Sequence, residues 1–483
     1  MQSGNNKLIA IHLCKKHFSF VIIAILLPFL FWGSSIILPT FDDWTSLVSP
    51  STEPLFSKER FFFYGYHWRP FDSIFGYIVG TNPKVLFPTL NHICVVIGHI
   101  GCTFLLYWIF ILLHFRSFAR NISTLFYFVT PGMMATVLAV DGLNQVYAAF
   151  WGLASLVVYI SLNGNKKYIL WIILVFISTL CKENGLMWAI ITPLFSYGFG
   201  FIKRKVFIKY LIIGITIIIC YVLMILIFPN NIEIHPEYIP SLERNSLGIL
   251  KWLMSTWISV DFIYLLFEPE RNIWIATITI LLSLPLLFQL FISNRLLILK
   301  KPFLFLVFCL FISVSPHLVT VFSMMHTYAG LCFAAIIIAY LANYCKNLKG
   351  LKIAFVLYFI SVIFVDFHLW YSSYKTSLSG KIIAQKLIQK TKQPIDKVYC
   401  IIVKENYQKL SSFCVTPSEA FGWGYAALYE NNYEWPTNIY ITYIDNSPNV
   451  MKDAKLLGRK KLRYDKSFDC VWIINNNYTD VLK

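Results

Sequence analysis

The stretch VFIKYLIIGITIIICYVLMILIF, at residues 206–228, decides the class of fold. Its only charged side chain is Lys209, and nearly all the other side chains are aliphatic or aromatic. A helix needs about 20 predominantly apolar residues to cross the hydrocarbon core of a bilayer, because each residue adds only about 1.5 Å of length. The sequence therefore predicts that this segment crosses a membrane as a helix.

Comparable apolar runs occur along most of the chain. They cover residues 18–38, 86–113, 122–140, 143–162, 168–181, 186–201, 273–292, 302–322, 328–344 and 353–370. The first run is too long for the core of a signal peptide and lacks a small-residue cleavage site, so we expect a retained anchor. Together with 206–228, the runs predict an α-helical polytopic membrane protein with about eleven transmembrane helices.

Composition agrees with a membrane protein. Among the 483 residues, 57% are hydrophobic and only 13% are charged, whereas a soluble domain carries about a quarter charged residues. The formal net charge is +17. We interpret most of it as basic loops that face the cytoplasm and contact anionic lipid, although an anionic substrate would also be attracted. No long basic stripe or nucleic-acid-binding motif occurs, so we expect no nucleic-acid partner.

Clusters of Lys and Arg set the predicted orientation. Lys15 and Lys16 precede the first run and place the N-terminus in the cytoplasm. If the segment 247–267 spanned the membrane, the basic cluster at 295–301 would face outward, so we interpret this segment as interfacial or re-entrant. The C-terminus is then expected outside. The clusters that would face the cytoplasm lie at 116–120, 166–167, 203–205, 295–301 and 346–352.

Two domains are expected from this pattern. Residues 1–370 would form the transmembrane domain, with outer loops at 39–84 and 229–271. Residues 371–483 would form a small extracytoplasmic α/β domain. The spacing of its apolar residues predicts a helix at 379–390, and its β-branched and aromatic residues predict strands at 398–403, 438–443 and 471–474.

An acidic pair follows the first predicted span. Asp42 and Asp43 lie at the predicted outer boundary of the membrane, within the sequence FDDW. Adjacent carboxylates can act as a general base or bind a divalent cation such as Mg²⁺ or Mn²⁺. Acidic residues also often begin a solvated loop, and the spacing alone does not choose between these interpretations. Asp42 and Asp43 are therefore the candidate catalytic residues and the candidate metal ligands.

Further candidates lie between the first and second runs. His67 and Arg69 belong to the sequence HWRPF, and Asn91 and His92 belong to the start of the next run. The planar guanidinium of Arg69 suits a phosphate group, although an interfacial Arg can equally contact lipid headgroups. An intramembrane His is a functional candidate, although many are hydrogen-bonded packing residues. All four side chains are expected near the outer face.

The strongest polar signal is KENG at 182–185, which interrupts an otherwise apolar stretch. Lys182 and Glu183 are costly near membrane depth unless they are paired or lie in a wet cavity. A short solvated turn between two spans is the alternative, and we favour the functional interpretation. His326 and Tyr328 belong to another predicted outer turn, so they would lie at the same face of the membrane.

Together these residues resemble a known pattern. The chain is similar to the GT-C superfamily of integral membrane glycosyltransferases, and within it to the protein O-mannosyltransferase-like branch. Its size and outward tail are also similar to those of bacterial and phage-encoded O-antigen glucosyltransferases. One element departs from the pattern, because a late Arg of the family appears here as His326. The elements that carry the resemblance, over roughly the first 345 residues, are Asp42-Asp43, WRPF at 68–71, LNH at 90–92 with His99, KENG at 182–185 and HTY at 326–328.

The resemblance implies a mechanism. Enzymes of this superfamily take a sugar from a polyprenyl or dolichyl phosphate at the outer membrane surface. Asp42 or Asp43 would deprotonate the acceptor hydroxyl, with inversion at the anomeric carbon. Arg69, Lys182 and His326 would neutralise the departing phosphate, and Glu183 would orient Lys182 or bind the sugar. The remaining candidate phosphate- or sugar-binding residues are His67, Asn91, His92 and Tyr328.

The resemblance also implies partners and a location. The donor would be a polyprenyl-phosphate glucose or mannose, and the acceptor an O-antigen, another surface polysaccharide or a glycolipid. We expect no cofactor beyond a divalent cation at the acidic pair, and a bacterial inner membrane with the tail in the periplasm. A flippase or other transporter of lipid-linked sugars is the alternative, although no internal repeat is evident. A non-catalytic partner in polysaccharide assembly is a third interpretation.

Overall fold

The structure is a computed structural model that describes residues 17–36, 69–71, 89–137, 142–227, 249, 252, 256, 273–292, 294–318 and 324–391, and five strands between residues 399 and 474. Every apolar run predicted from the sequence contains a helix. Short 3₁₀ helices lie at Pro131–Met133, Glu183–Met187 and Met324–His326. The α-helices are α1 (Phe18–Ile36), α2 (Thr89–Leu112), α3 (Ser117–Val129), α4 (Met134–Val137), α5 (Leu143–Ser161), α6 (Lys166–Cys181), α7 (Trp188–Gly198), α8 (Arg204–Ile227), α9 (Ile273–Phe291), α10 (Lys301–Leu318), α11 (Thr327–Tyr344) and α12 (Leu348–Thr391).

Five helices in the described part of the chain are long and apolar enough to cross a membrane. Shorter apolar stretches occur in α1, α9 and α10, at Phe18–Phe29, Ile280–Phe291 and Lys301–Ser315. These lengths and compositions indicate a helical integral membrane protein, as predicted. The five stretches are Ile93–Leu112, Leu143–Ser161, Arg204–Met224, Thr327–Tyr344 and Leu348–Phe367.

Helix α11 forms the centre of the bundle. All its residues from Thr327 to Ala342 are buried, and it contacts α2, α3, α5, α9 and α10. Its sequence TYAGLCFAAIIIAYLA contains five Ala, one Gly and one Cys, small residues that let neighbouring helix backbones approach. Helix α8 is the opposite case, because Ile212 and Ile219 are 58% and 52% exposed. Such an apolar, exposed face is the face that lipid would cover.

The run predicted at 122–140 is a broken helix that starts earlier, at Ser117. Helix α3 ends at Val129, where Thr130 takes an extended backbone with ψ 133°. Pro131 then begins a 3₁₀ helix, because it has no N–H to continue the α-helical ladder. After the break, the Thr136 hydroxyl donates to the carbonyl of Met325 at 3.3 Å. This hydrogen bond connects the segment after the break to the 3₁₀ helix that precedes α11.

Helix α12 is longer than the sequence predicted. The expected span at 353–370 and the expected tail helix at 379–390 form one helix of 44 residues. At about 1.5 Å per residue it is about 66 Å long, roughly twice the hydrocarbon thickness of a bilayer. The boundary expected at residues 370 and 371 thus lies inside a continuous helix, and no connecting loop separates the span from the start of the tail.

The tail contains a five-stranded sheet with the order β4-β3-β2-β1-β5. Strand β1 pairs in parallel with β2 and β5, whereas β3 pairs antiparallel with β2 and β4. The three predicted strands coincide with β1, β2 and β5 to within one residue at each end. Strands β3 and β4 were missed, because each has only three residues and contains Lys. The strands are β1 (Tyr399–Lys404), β2 (Ile439–Ile444), β3 (Ala454–Leu456), β4 (Lys460–Leu462) and β5 (Cys470–Ile474).

Three residues of the segment predicted to be interfacial or re-entrant, 247–267, are described: Ile249, Trp252 and Thr256. Their spacing of three and four residues places them on one face of a helix. Trp252 is 1% exposed, and its ring lies 5.5 Å from that of Phe311 on α10. This face of the segment therefore packs against the bundle.

Candidate functional site at the Lys182 turn

The turn between α6 and α7 carries the KENG sequence. Helix α6 ends at Cys181, and Lys182 takes an extended backbone with φ −159° and ψ 150°. The N–H of Lys182 donates to the carbonyl of Ser178 at 3.2 Å, and Glu183 begins the 3₁₀ helix that leads into α7. This change of backbone direction sends the side chains of Lys182 and Glu183 to partners on different parts of the chain.

Glu183 forms a two-point ion pair with Arg69. The Nε of Arg69 donates to Oε1 of Glu183 at 2.8 Å, and a terminal guanidinium nitrogen donates to Oε2 at 2.9 Å. The side chains are 17% and 22% exposed. Paired, charge-assisted hydrogen bonds of this kind fix both distance and orientation. They connect two sequence elements, WRPF and KENG, that are 114 residues apart.

Lys182 reaches a different partner. It is 6% exposed, and its Nζ donates to Oδ1 of Asn144 at 3.2 Å. Asn144 lies in the first turn of α5, and its amide is uncharged. The amide oxygen of Asn144 orients the Lys182 ammonium at the start of α5.

The neighbouring amides extend this network. Nδ2 of Asn184 donates to Oε1 of Gln145 at 3.0 Å, and the two residues are 6% and 1% exposed. The other ends of the two amides, Oδ1 of Asn184 and Nε2 of Gln145, are buried and have no hydrogen-bond partner in the described part of the chain. One acceptor and one donor of this amide pair are thus unsatisfied within the described residues.

Sequence reasoning missed Asn144, Gln145 and a third residue, Tyr221. Tyr221 lies on α8 and interacts electrostatically with both Glu183 and Arg69. A signal existed for the amides, because adjacent Asn and Gln at the start of an apolar run are polar residues that the membrane would disfavour. No local sequence pattern marks Tyr221. It lies on the face of the long apolar helix α8 that is close to the ion pair.

Gly185 allows the turn to pack closely against α6. A Cβ at this position would collide with the carbonyl carbon and oxygen of Ser178. The Ser178 hydroxyl is itself held by the carbonyl of Ala148 at 2.6 Å, so α6 cannot shift away without disturbing α5. The glycine of KENG is therefore a packing requirement of the turn.

We expect Gly185→Ala to destabilise the protein by about 1–3 kcal/mol, the usual cost of forcing extra volume into a packed site. The measurement is thermal unfolding of the purified chain in detergent, followed by tryptophan fluorescence. Gly164→Ala is the comparison, because Gly164 has φ +77° but nothing near its missing Cβ, and backbone strain alone should cost less. An equal or smaller loss for Gly185→Ala would contradict the packing account.

Tyr328 and His99 form a separate, fully buried pair. The Tyr328 hydroxyl lies 3.0 Å from Nδ1 of His99, whose Nε2 lies 3.2 Å from the carbonyl oxygen of Phe128. Both side chains are 0% exposed. Tyr328 was expected among the phosphate- or sugar-binding residues, and the structure packs it inside the bundle. His326 is only partly buried and ends the 3₁₀ helix that contacts α4.

The other predicted site residues lie outside what the structure describes. Asp42, Asp43 and His67 belong to residues that are not described, and Asn91 and His92 lie in α2 without described side chains. Within the described ranges, no group of three His, Cys, Asp or Glu residues is placed to hold a metal ion. The candidate divalent site at the acidic pair therefore stays a prediction.

Comparison with known proteins adds no relative. No family model, no curated protein and no solved structure matches the chain. The functional argument therefore depends on the residues gathered at the Lys182 turn.

Proposed function

We propose that this chain is an inverting membrane glycosyltransferase that moves a hexose, glucose or mannose, from a polyprenyl-phosphate carrier to an extracytoplasmic acceptor. The acceptor is an O-antigen, another surface polysaccharide or a glycolipid. The chain crosses the bacterial inner membrane about eleven times, with its N-terminus in the cytoplasm and its tail in the periplasm. The observation that carries the proposal is the Arg69–Glu183 ion pair, which links WRPF to the Lys182 turn.

The chemistry needs a positive site for a phosphate leaving group. The acceptor oxygen forms a bond to the anomeric carbon while the bond from that carbon to the phosphate oxygen breaks, and polyprenyl phosphate departs with the electron pair. Lys182 and Arg69 neutralise the charge that develops on the phosphate, with His326 as a further contributor. Glu183 is a positioning residue in this scheme, because it fixes the guanidinium plane of Arg69.

The amides beside Lys182 suit the sugar. Oδ1 of Asn184 accepts a hydrogen bond and Nε2 of Gln145 donates one, which matches the two capacities of a sugar hydroxyl. A buried amide oxygen and a buried amide nitrogen that lack hydrogen-bond partners are costly, so a ligand that satisfies both atoms is favoured. The acceptor proton goes to Asp42 or Asp43, in the predicted outer loop that also contains Arg69.

The test is sugar transfer by the full chain in nanodiscs. The protein is given radiolabelled polyprenyl-phosphate glucose or mannose with lipid-linked O-antigen or cell-envelope extract. We expect label in the acceptor with one of these donors and none with the matching nucleotide sugar. Arg69→Gln should lower the rate at least about tenfold, whereas Arg116→Gln, an exposed Arg on the predicted cytoplasmic side, should leave it unchanged.

Two results would overturn the proposal. Absence of transfer with every donor and acceptor, combined with movement of the lipid-linked sugar across a liposome bilayer, would identify a flippase. Transfer that proceeds equally well from a nucleotide sugar would exclude a lipid-phosphate donor. Because Arg69→Gln leaves Glu183 without its guanidinium, size-exclusion profiles of each variant must match the native protein before rates are compared.

A further inference from the structure

A cavity of about 100 Å³ lies between α1, the end of α3 and α12, in a part of the bundle that the proposed reaction does not use. It is not formed by the residues of the Lys182 turn. All but one of its lining side chains are apolar. They are Leu26, Phe29, Phe128, Val129, Met133, Met134, Ile363, Asp366, Phe367 and Trp370.

The exception, Asp366, is the unusual feature of this cavity. Its Oδ1 atom is buried and accepts no hydrogen bond from the residues that the structure describes. A carboxylate is expensive among apolar groups unless a positive or hydrogen-bonding partner satisfies it. No described salt bridge involves Asp366. A ligand that supplies a positive, hydrogen-bonding group would remove this cost.

The aromatic side chains of the cavity narrow the class of ligand. Four of the ten lining residues are aromatic: Phe29, Phe128, Phe367 and Trp370. Ring faces attract an organic ammonium group, and recognition of such groups commonly combines several rings. A phosphate would be repelled by Asp366, and a hard metal ion would need several more oxygen ligands. The lining therefore fits an alkyl-ammonium group.

The position of the cavity indicates where that group comes from. Asp366 lies four residues before the end of the predicted span 353–370, so we expect it close to the level where hydrocarbon gives way to headgroups. Phe29 and Phe367 are 56% and 51% exposed, so the cavity adjoins a surface that lipid would cover. The methyl and methylene groups of Leu26, Met133 and Met134 could contact the start of an acyl chain.

We propose that this cavity binds the ammonium headgroup of a membrane phospholipid, with the carboxylate of Asp366 as its counter-charge and the aromatic rings around it. The site is independent of sugar transfer, so it can exist whether or not the proposed reaction is correct. A bound lipid of this kind would join α1 to α12 at the membrane boundary, beside the break between α3 and α4.

The experiment is native mass spectrometry of the full chain released from detergent. Phosphatidylethanolamine, phosphatidylcholine and phosphatidylglycerol with identical acyl chains are titrated in turn. We expect the two ammonium lipids to bind at least about tenfold more tightly than phosphatidylglycerol, because only they pair with the buried carboxylate. Asp366→Asn should remove most of this preference, and Asp366→Glu should keep it.

Ser361→Ala is the matched control on the same helix. It removes a buried hydroxyl that donates to the carbonyl of Tyr358 at 2.8 Å, and it retains Asp366, so the preference for ammonium lipids should persist. Equal binding of all three lipids to the native chain would overturn the proposal, as would an unchanged preference in Asp366→Asn. Free ethanolamine serves as the last probe, because binding as tight as that of the lipid would exclude the lipid as the source of the ammonium.

Discussion

Replacing Asp42 and Asp43 together by Asn should abolish sugar transfer without loss of membrane insertion. Asn keeps the size and much of the hydrogen bonding of Asp but cannot take the proton of the acceptor hydroxyl at neutral pH. A positioned general base typically contributes about 10²–10⁴-fold to the rate, so the double variant should fall to background. The measurement is the labelled transfer assay in nanodiscs, with membrane content checked by immunoblot.

The single variants and a control sharpen this result. If one carboxylate is the base, Asp42→Asn and Asp43→Asn should differ, and the more impaired variant identifies it. Asp396→Asn, in the tail, removes an acidic residue away from the predicted loop and should transfer sugar normally. Full activity in both single variants would refute the assignment. Loss of native activity on treatment with a chelator, restored by Mg²⁺ or Mn²⁺, would instead assign the pair to a metal site.

The helices could be predicted because apolar length is a local signal. Residues 206–228 predict α8 without any knowledge of its neighbours, and the same holds for the runs that became α2, α5 and α11. The break at Pro131 and the continuity of α12 were missed for opposite reasons. The run at 122–140 is mostly apolar, so it was predicted as one helix and the break at Pro131 was not recognised. The residues after 370 are more polar, so a loop was predicted there, although the helix continues through them.

The site was predictable in part. The cost of burying Lys182 and Glu183 marked the turn as unusual, and the resemblance implied that Glu183 would orient Lys182 or bind the sugar. In the structure, Glu183 forms an ion pair with Arg69, which is 114 residues away along the chain, and Lys182 donates a hydrogen bond to Asn144, which is 38 residues away. Partners at such separations depend on how helices pack, and no periodicity in one segment encodes them. Tyr328 shows the same limit, because its pairing with His99 joins α11 to α2 inside the bundle.

The Arg69–Glu183 ion pair is better explained by its effect on the position of the Arg69 guanidinium than by a contribution to the stability of the fold. Removing two charges from water costs about as much as their attraction returns, so a largely buried pair is weak evidence of stabilisation. Its two-point geometry, however, orders a guanidinium beside the Lys182 turn. In the proposed reaction, this guanidinium and the Lys182 ammonium come from separate parts of the chain and both serve the phosphate.

Lys182→Met should lower the rate of sugar transfer by about 10²–10³-fold, the usual effect of removing one group that stabilises developing charge. Met preserves the length and apolar stem of Lys but lacks the ammonium that Asn144 orients at 3.2 Å. Since Lys182 is only 6% exposed, water does not screen its charge as it would on an open surface.

Lys167→Met is the matched control, because Lys167 lies at the opposite end of α6 with its ammonium 5.4 Å from the ring centre of Tyr159. Each variant loses one positive charge at or next to an end of α6, so a general effect of net charge on the protein or its lipid would appear in both. If Lys182 stabilises the departing phosphate, the loss should appear mainly in kcat and only for Lys182→Met. Equal rates for the two variants, or a change in KM alone, would mean that Lys182 only helps to bind the donor or to hold α5 against the turn.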